Sequence, residues 1–249
     1  MSKRWRIGAV SYLNTRPFLL GIEQSGLMEQ IDLTKAYPSQ IAQALLDDTI
    51  DIGLVPVAII PLLNDPHYIS KFCIGADGEV ASVAIFSDVP LDQIEKIYLD
   101  HQSRTSVQLA RLMVELYWEK EVEWLKADAG YIDKIGGTTA GVIIGDRALI
   151  ARNRFAYSYD LAAAWKKYTG FPFVFATWVS NKPIPEEFIK IFDQANAYGL
   201  QHIDQVIAQI DAAENVYDLK KYYTQNISYE FTEEKKKGLN LFLKLLNPS

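Results

Sequence analysis

A chain of 249 residues is long enough for one large domain or two small ones. Its 49% apolar and 22% charged residues match a globular protein with a sizeable core, and a formal charge of −6 argues against a nucleic-acid partner, since phosphate recognition needs a basic surface. The single cysteine, Cys73, excludes an intramolecular disulfide, and no Cys/His cluster has metal-ligand spacing.

The opening "MSKRWRIGAV" has a basic start without the apolar run of a signal peptide, and no stretch approaches the roughly 20 apolar residues of a membrane span. A cytoplasmic protein is expected. Residues 5–11 alternate as a first strand, which runs directly into Ser-Tyr-Leu-Asn-Thr-Arg-Pro. "LTKAYPSQIAQALLDD" reads as a short strand and then a helix with Ser39 as N-cap and Ile41, Ala44 and Leu45 on one face. "TIDIGLVPVAII" is a continuous apolar run, the pattern of a strand covered on both faces. Cys73, within strand-like "KFCIG", reads as a buried packing thiol.

"EVASVAIFSDVP" is a further strand ended by Pro90, and "IEKIYLD" another. "SRTSVQLARLMVELYWE" is a helix with Leu109, Leu112, Met113, Leu116 and Tyr117 on one stripe. "GVIIGDRALI" is a strand entering a polar turn at Gly145-Asp146, and "FPFVFATWVSN" an aromatic-rich strand. From about Pro185 the chain reads as helical, closing with a helix capped by Thr232. Strands at 80–87 and 173–181 flank a central β-α-β section, as if the chain left one lobe at the first and returned at the second. The expected lobes are 1–85 with 178–249, and 86–177. Two α/β lobes joined by two crossing strands, with a cleft between, form the type II periplasmic-binding-protein architecture, which closes around a ligand. Pattern alone supports a two-lobed α/β protein with a cleft.

Ligands of open α/β sheets sit at the C-terminal ends of strands, beside helix N-termini. Four clusters hold such positions: Ser11–Thr15, Ser82, Ser103-Arg104-Thr105-Ser106, and Gly145-Asp146. Three hydroxyls in four residues at a helix start can hold a carboxylate, although one would be enough to cap the helix. Asn14 offers two donors and an acceptor, or makes an Asx-turn. Asp146 reads locally as the cap of a helix over 147–151, with a general base or hydroxyl acceptor as alternatives. Ser82 lacks the His or Gly-x-Ser-x-Gly setting of a hydrolase nucleophile. His67, His101 and His202 are scattered and read as solvated.

"VSYLNTRPF", "IDIGLVPVA", "CIGADGEVASVAIFS", "YLDHQSRTSVQLARLM", "VIIGDRAL" and "DLAAAWKKYTGFPFVFATW", in this order and spacing, resemble chorismate dehydratase of the futalosine route to menaquinone. The resemblance covers residues 6 to about 180, and the helical tail adds little to it. It implies a type II binding-protein fold and catalytic roles for Asn14 and Ser82, to which the strand-end clusters add Tyr12, Thr15, Ser103, Arg104, Thr105, Ser106, Gly145 and Asp146 as expected substrate contacts. It also implies dehydration of chorismate, a dicarboxylate, while the absence of metal-ligand spacing or a dinucleotide fingerprint and the acidic balance lead to no expected cofactor, metal or nucleic-acid partner. A related enzyme, 1,4-dihydroxy-6-naphthoate synthase, typically has Pro-Asn-Asp where this chain has Tyr12-Leu13-Asn14-Thr15. A solute-binding or sensor protein of the same fold is the non-enzymatic alternative.

Overall fold

The computed structural model describes residues 4–211 and 217–247. In chain order the elements are β1 (Trp5–Val10), α1 (Arg16–Gln24), β2 (Ile31–Ala36), α2 (Pro38–Leu46), β3 (Ile52–Pro56) and β4 (His67–Ala76). There follow β5 (Val83–Ser87), β6 (Lys96–Leu99), α3 (Thr105–Leu112), β7 (Glu123–Lys126), β8 (Thr139–Ile144), α4 (Asp146–Ala151), β9 (Tyr157–Asp160) and α5 (Leu161–Thr169). The chain closes with β10 (Phe173–Ser180), α6 (Glu186–Gln201), α7 (Ile203–Ala208), α8 (Leu219–Lys221), β11 (Ser228–Glu230) and α9 (Glu233–Leu246).

The strands form two mixed sheets. Six make the larger, in the order β11-β4-β10-β3-β1-β2, and five make the smaller, β7-β6-β8-β5-β9. β1 runs parallel to β2 and β3, whereas β10 runs antiparallel to β3 and β4. The expected α/β architecture is therefore present. The changes of sheet fall outside the strands expected to carry them: β5 pairs with β8 and β9 in the small sheet, and β10 belongs to the large one. The chain crosses through residues 77–82 and returns through α5.

A continuous apolar core joins the two sheets. Trp165 of α5 packs edge-on against Phe173 of β10 (5.3 Å) and Phe242 of α9 (6.0 Å), so the return crossing is held by aromatic packing. A smaller cluster, including Phe86, Tyr131, Ile143 and Phe155, covers the other face of the small sheet. Cys73 is fully buried, and burial pushes its thiol up to about 11, so it packs as a neutral group.

Local signals at chain breaks were partly overridden. α2 begins at Pro38 rather than after Ser39: the proline takes the first helical position, and Gln40 Oε1 accepts from Tyr37 N (3.2 Å). The apolar run is buried over residues 50–57, but its strand ends at Pro56 and the chain turns through a 3₁₀ segment, Val57–Leu62. Thr232 does cap α9, its hydroxyl accepting from Lys235 N at 3.3 Å. The tail is not all helix, since β11 adds an edge strand to the large sheet.

Candidate active site

The ends of β1, β3, β8 and β10, the crossing segment and the start of α3 converge on a cavity with about 580 Å³ of empty space, part of it open to solvent. Its walls are largely apolar, with Val10, Leu54, Ile74, Val83, Ile144 and Phe175 among them. No charged side chain among the described residues lines it. Its polar groups are neutral: Tyr12, Asn14 and Thr15 from the large-sheet side, Ser82 from the crossing, and Ser103, Thr105 and Ser106 from the small-sheet side.

The sequence explains the convergence. β1 ends at Val10, and a short 3₁₀ turn over Leu13–Thr15 leads into α1, whose first turn contains Pro17. This turn carries Asn14, whose amide oxygen accepts the Thr15 hydroxyl at 3.2 Å. Gly145 also lines the cavity. It adopts φ +63, and a Cβ there would stand 3.3 Å from the Tyr12 ring, so the close approach of the two lobes requires glycine.

Two of the ten expected site residues lie elsewhere. Arg104 lines a neighbouring surface groove with Ala58, Leu62, Val107 and Leu246. Asp146 does not cap α4, for which Gly145 is the N-cap; its carboxylate accepts from Leu13 N at 3.1 Å, across the cleft. Of the hydroxyls at the start of α3, Ser103 takes the capping role by accepting from Ser106 N (3.0 Å). Thr105 Oγ1 accepts from Ala58 N (3.1 Å), a second bond between the lobes. A third runs from the Tyr12 hydroxyl to Gln102 Oε1 (2.9 Å), which also accepts from Arg147; that arginine pairs with buried Asp100 at 2.7 Å. Burial raises the Tyr12 phenol well above its ordinary value, so it stays neutral.

The backbone around Ser82 is tightly held. Ala81 adopts φ +64, a conformation that costs a non-glycine residue energy. Its N–H and that of Val80 both donate to Asp160 Oδ2 (2.8 and 3.0 Å), while Asp160 Oδ1 caps α5 at Ala162 and Ala163. Burial pushes the Asp160 carboxyl up to about 6, against the backbone bonds that pull it down. Ser82 O accepts from Gly145 N at 2.8 Å.

Sequence reading missed the contribution of the tail. Tyr222 OH donates to Ser82 Oγ at 2.8 Å. Tyr223 OH donates to Leu13 O (3.0 Å), and Tyr229 OH to Asn14 O (2.9 Å). The only available signal was the tyrosine-rich stretch "KKYYTQNISYEF", whose contacts lie more than 130 residues away in sequence.

The menaquinone biosynthesis family profile matches residues 5–248, which includes the tail. The chain belongs to that family. Within it, the chain is similar to the chorismate dehydratase of Thermus thermophilus, with 24% identity spanning 93% of this chain and 96% of the relative. The resemblance read from the sequence therefore holds at the level of the family. Among solved structures, a protein from Archaeoglobus fulgidus superposes with a TM-score of 0.74 at 12% identity, covering 98% of this chain and 97% of the other. The periplasmic aliphatic sulphonate binding protein of Escherichia coli gives 0.62 at 14% identity, covering 100% and 95%. Such identities establish a shared fold, here periplasmic-binding-protein-like. No helix among the described residues is long and apolar enough to cross a membrane.

Proposed function

We propose that the protein is a cytoplasmic hydro-lyase of the futalosine route, converting chorismate to 3-[(1-carboxyvinyl)oxy]benzoate and water. The observation that carries this reading is that Asn14 and Ser82 line one neutral cavity in a chain of the menaquinone biosynthesis family. The reaction removes the hydrogen and the hydroxyl from adjacent ring carbons and makes the ring aromatic, so it is strongly downhill. The protein must hold the substrate, assist departure of the hydroxide and exclude water.

No Lys, His or carboxylate lines the cavity among the described residues, and Asp146 is engaged with Leu13 N outside it. That supports a carboxylate of the substrate itself as the base for the ring proton, with Asn14 and Ser82 orienting it and donating to the leaving hydroxyl. The proton taken from carbon then reaches the departing hydroxide, so water is the only other product. The contacts between the lobes suit such a step, since closure keeps solvent from the reacting groups.

The rival reading is a solute-binding protein, which the sulphonate-binding neighbour favours. The naphthoate synthase activity is disfavoured by the Tyr12-Leu13-Asn14-Thr15 turn. Incubating the purified protein with chorismate separates these readings: the dehydratase yields an aromatic product lighter by one water, whereas a binding protein returns chorismate unchanged.

Ser106 is the better probe of holding the substrate. Thr105→Val would also leave Ala58 N without its acceptor, which confuses binding with closure. A substrate carboxylate keeps its charge through the reaction, so contacts to it act equally on ground and transition states and appear in KM. Ser106→Ala is expected to raise KM several-fold, tenfold at most for a hydrogen bond of about 1.5 kcal/mol, with kcat within a few-fold of the parent. A large fall in kcat at unchanged KM would make Ser106 a catalytic group.

A further inference from the structure

Ser82 has one freedom left. Its carbonyl is held by Gly145 N, and the two residues before it are pinned by Asp160. Its side chain is 1% exposed, yet a serine hydroxyl in such a place still has three staggered positions to choose from. The backbone bonds do not select among them. The group that does is Tyr222, which comes from a turn of π-helix (Tyr222–Asn226) in the tail and has no exposed surface.

We propose that Tyr222 is a positioning residue: its hydroxyl fixes the rotamer of Ser82, one of the two groups that act on the substrate. This rests on the dehydratase reading for its kinetic consequence, but not for its geometry. Tyr222 does not line the cavity, so it acts through Ser82 rather than on the substrate. By donating to Ser82 Oγ it leaves the Ser82 proton free to point into the cavity, because a hydroxyl that accepts from one neighbour can donate to another. Such chains of hydrogen bonds also strengthen one another where water is excluded.

The turn that carries the phenol is itself well anchored. Asn226, in the same turn, accepts from Tyr217 OH (3.2 Å) and donates to Glu79 O (3.1 Å) in the crossing segment. The tail is thereby tied to the segment that presents Ser82, and Tyr223 and Tyr229 tie it to the turn that presents Asn14. Three tyrosines from one short stretch thus serve both sides of the site.

Tyr222→Phe keeps the ring and removes the donor. Steady-state kinetics should show kcat lowered at least tenfold with KM within twofold of the parent. The same substitution placed in Ser82→Ala should lower kcat no further, because its effect passes through the serine hydroxyl. An equal loss in both backgrounds, or turnover within twofold of the parent, overturns the proposal. Crystal structures of the parent and Tyr222→Phe test the geometry without reference to the reaction. Ser82 is expected in one rotamer in the parent and displaced or split in the variant; an unmoved Ser82 overturns the proposal. A parent that leaves chorismate unchanged defeats the dehydratase reading alone, and the rotamer comparison still decides the role of Tyr222. Should the phenylalanine variant not fold, 3,5-difluorotyrosine at position 222 keeps the shape while making the phenol a stronger donor. Turnover should then change at least twofold at constant KM, and unchanged turnover overturns the proposal.

Discussion

Asn14→Ala and Ser82→Ala are each expected to lower kcat on chorismate by about 10²–10³ while KM stays within a few-fold of the parent. The size of the effect follows from what the cavity lacks. No charged side chain among the described residues lines it, so transition-state charge on the departing hydroxyl has only neutral donors to meet it. Both donors are preorganised. Asn14 is held on its amide oxygen by Thr15 and on its carbonyl by Tyr229. Ser82 is fixed by Gly145 N and Tyr222. A donor set in advance contributes far more to the transition state than one that must be ordered during the reaction. Ser82→Ala also leaves the buried Tyr222 hydroxyl without its acceptor, which should lower stability by about 1–3 kcal/mol. Thermal unfolding beside the kinetics separates that loss from catalysis. Near-normal turnover in both variants would return the two residues to turn and packing roles.

The reach of sequence reading followed the range of the forces involved. Strand β3 was legible because "IGLVP" is apolar on both faces, a property of the segment alone. Thr232 was legible as a cap because its partner is three residues away. Ser39 and Asp146 looked equally good as caps and are not, since Pro38 fixes the start of α2 and Leu13 N offers Asp146 a partner from the other lobe. Local preference lost in each case to a contact that the local sequence does not contain. The polar turn after β1 was legible as a place for ligand groups. The tyrosines that brace it were not, because nothing within residues 217–230 indicates that their hydroxyls reach Leu13, Asn14 and Ser82. A tyrosine in an amphipathic tail reads as packing, and only the folded chain reveals what its hydroxyl meets.

Gly199→Ala is expected to destabilise the protein by about 3 kcal/mol or more and to lower turnover as well. Helices α1 and α6 cross with Gly21 and Gly199 facing each other. A Cβ at Gly199 would lie 1.7 Å from Pro17 O, and one at Gly21 would lie 1.8 Å from Ala195 O. Neither obstacle is a side chain that could swing aside; both are helix backbone, so the helices must move apart. Alanine is the better helix former by about 1 kcal/mol, which would raise stability if the position were open. Overpacking a tight contact typically costs about 1–3 kcal/mol, and a clash with backbone belongs at or beyond the upper end. The functional consequence comes from which carbonyl is displaced. Pro17 lies in the first turn of α1, three residues after Asn14, so pushing α1 from α6 shifts the turn that aims the amide into the cavity. Urea unfolding should show a lower midpoint at an unchanged slope, and the remaining folded enzyme should turn over more slowly than the parent. A midpoint equal to or above that of the parent would mean that the two helices do not cross this closely.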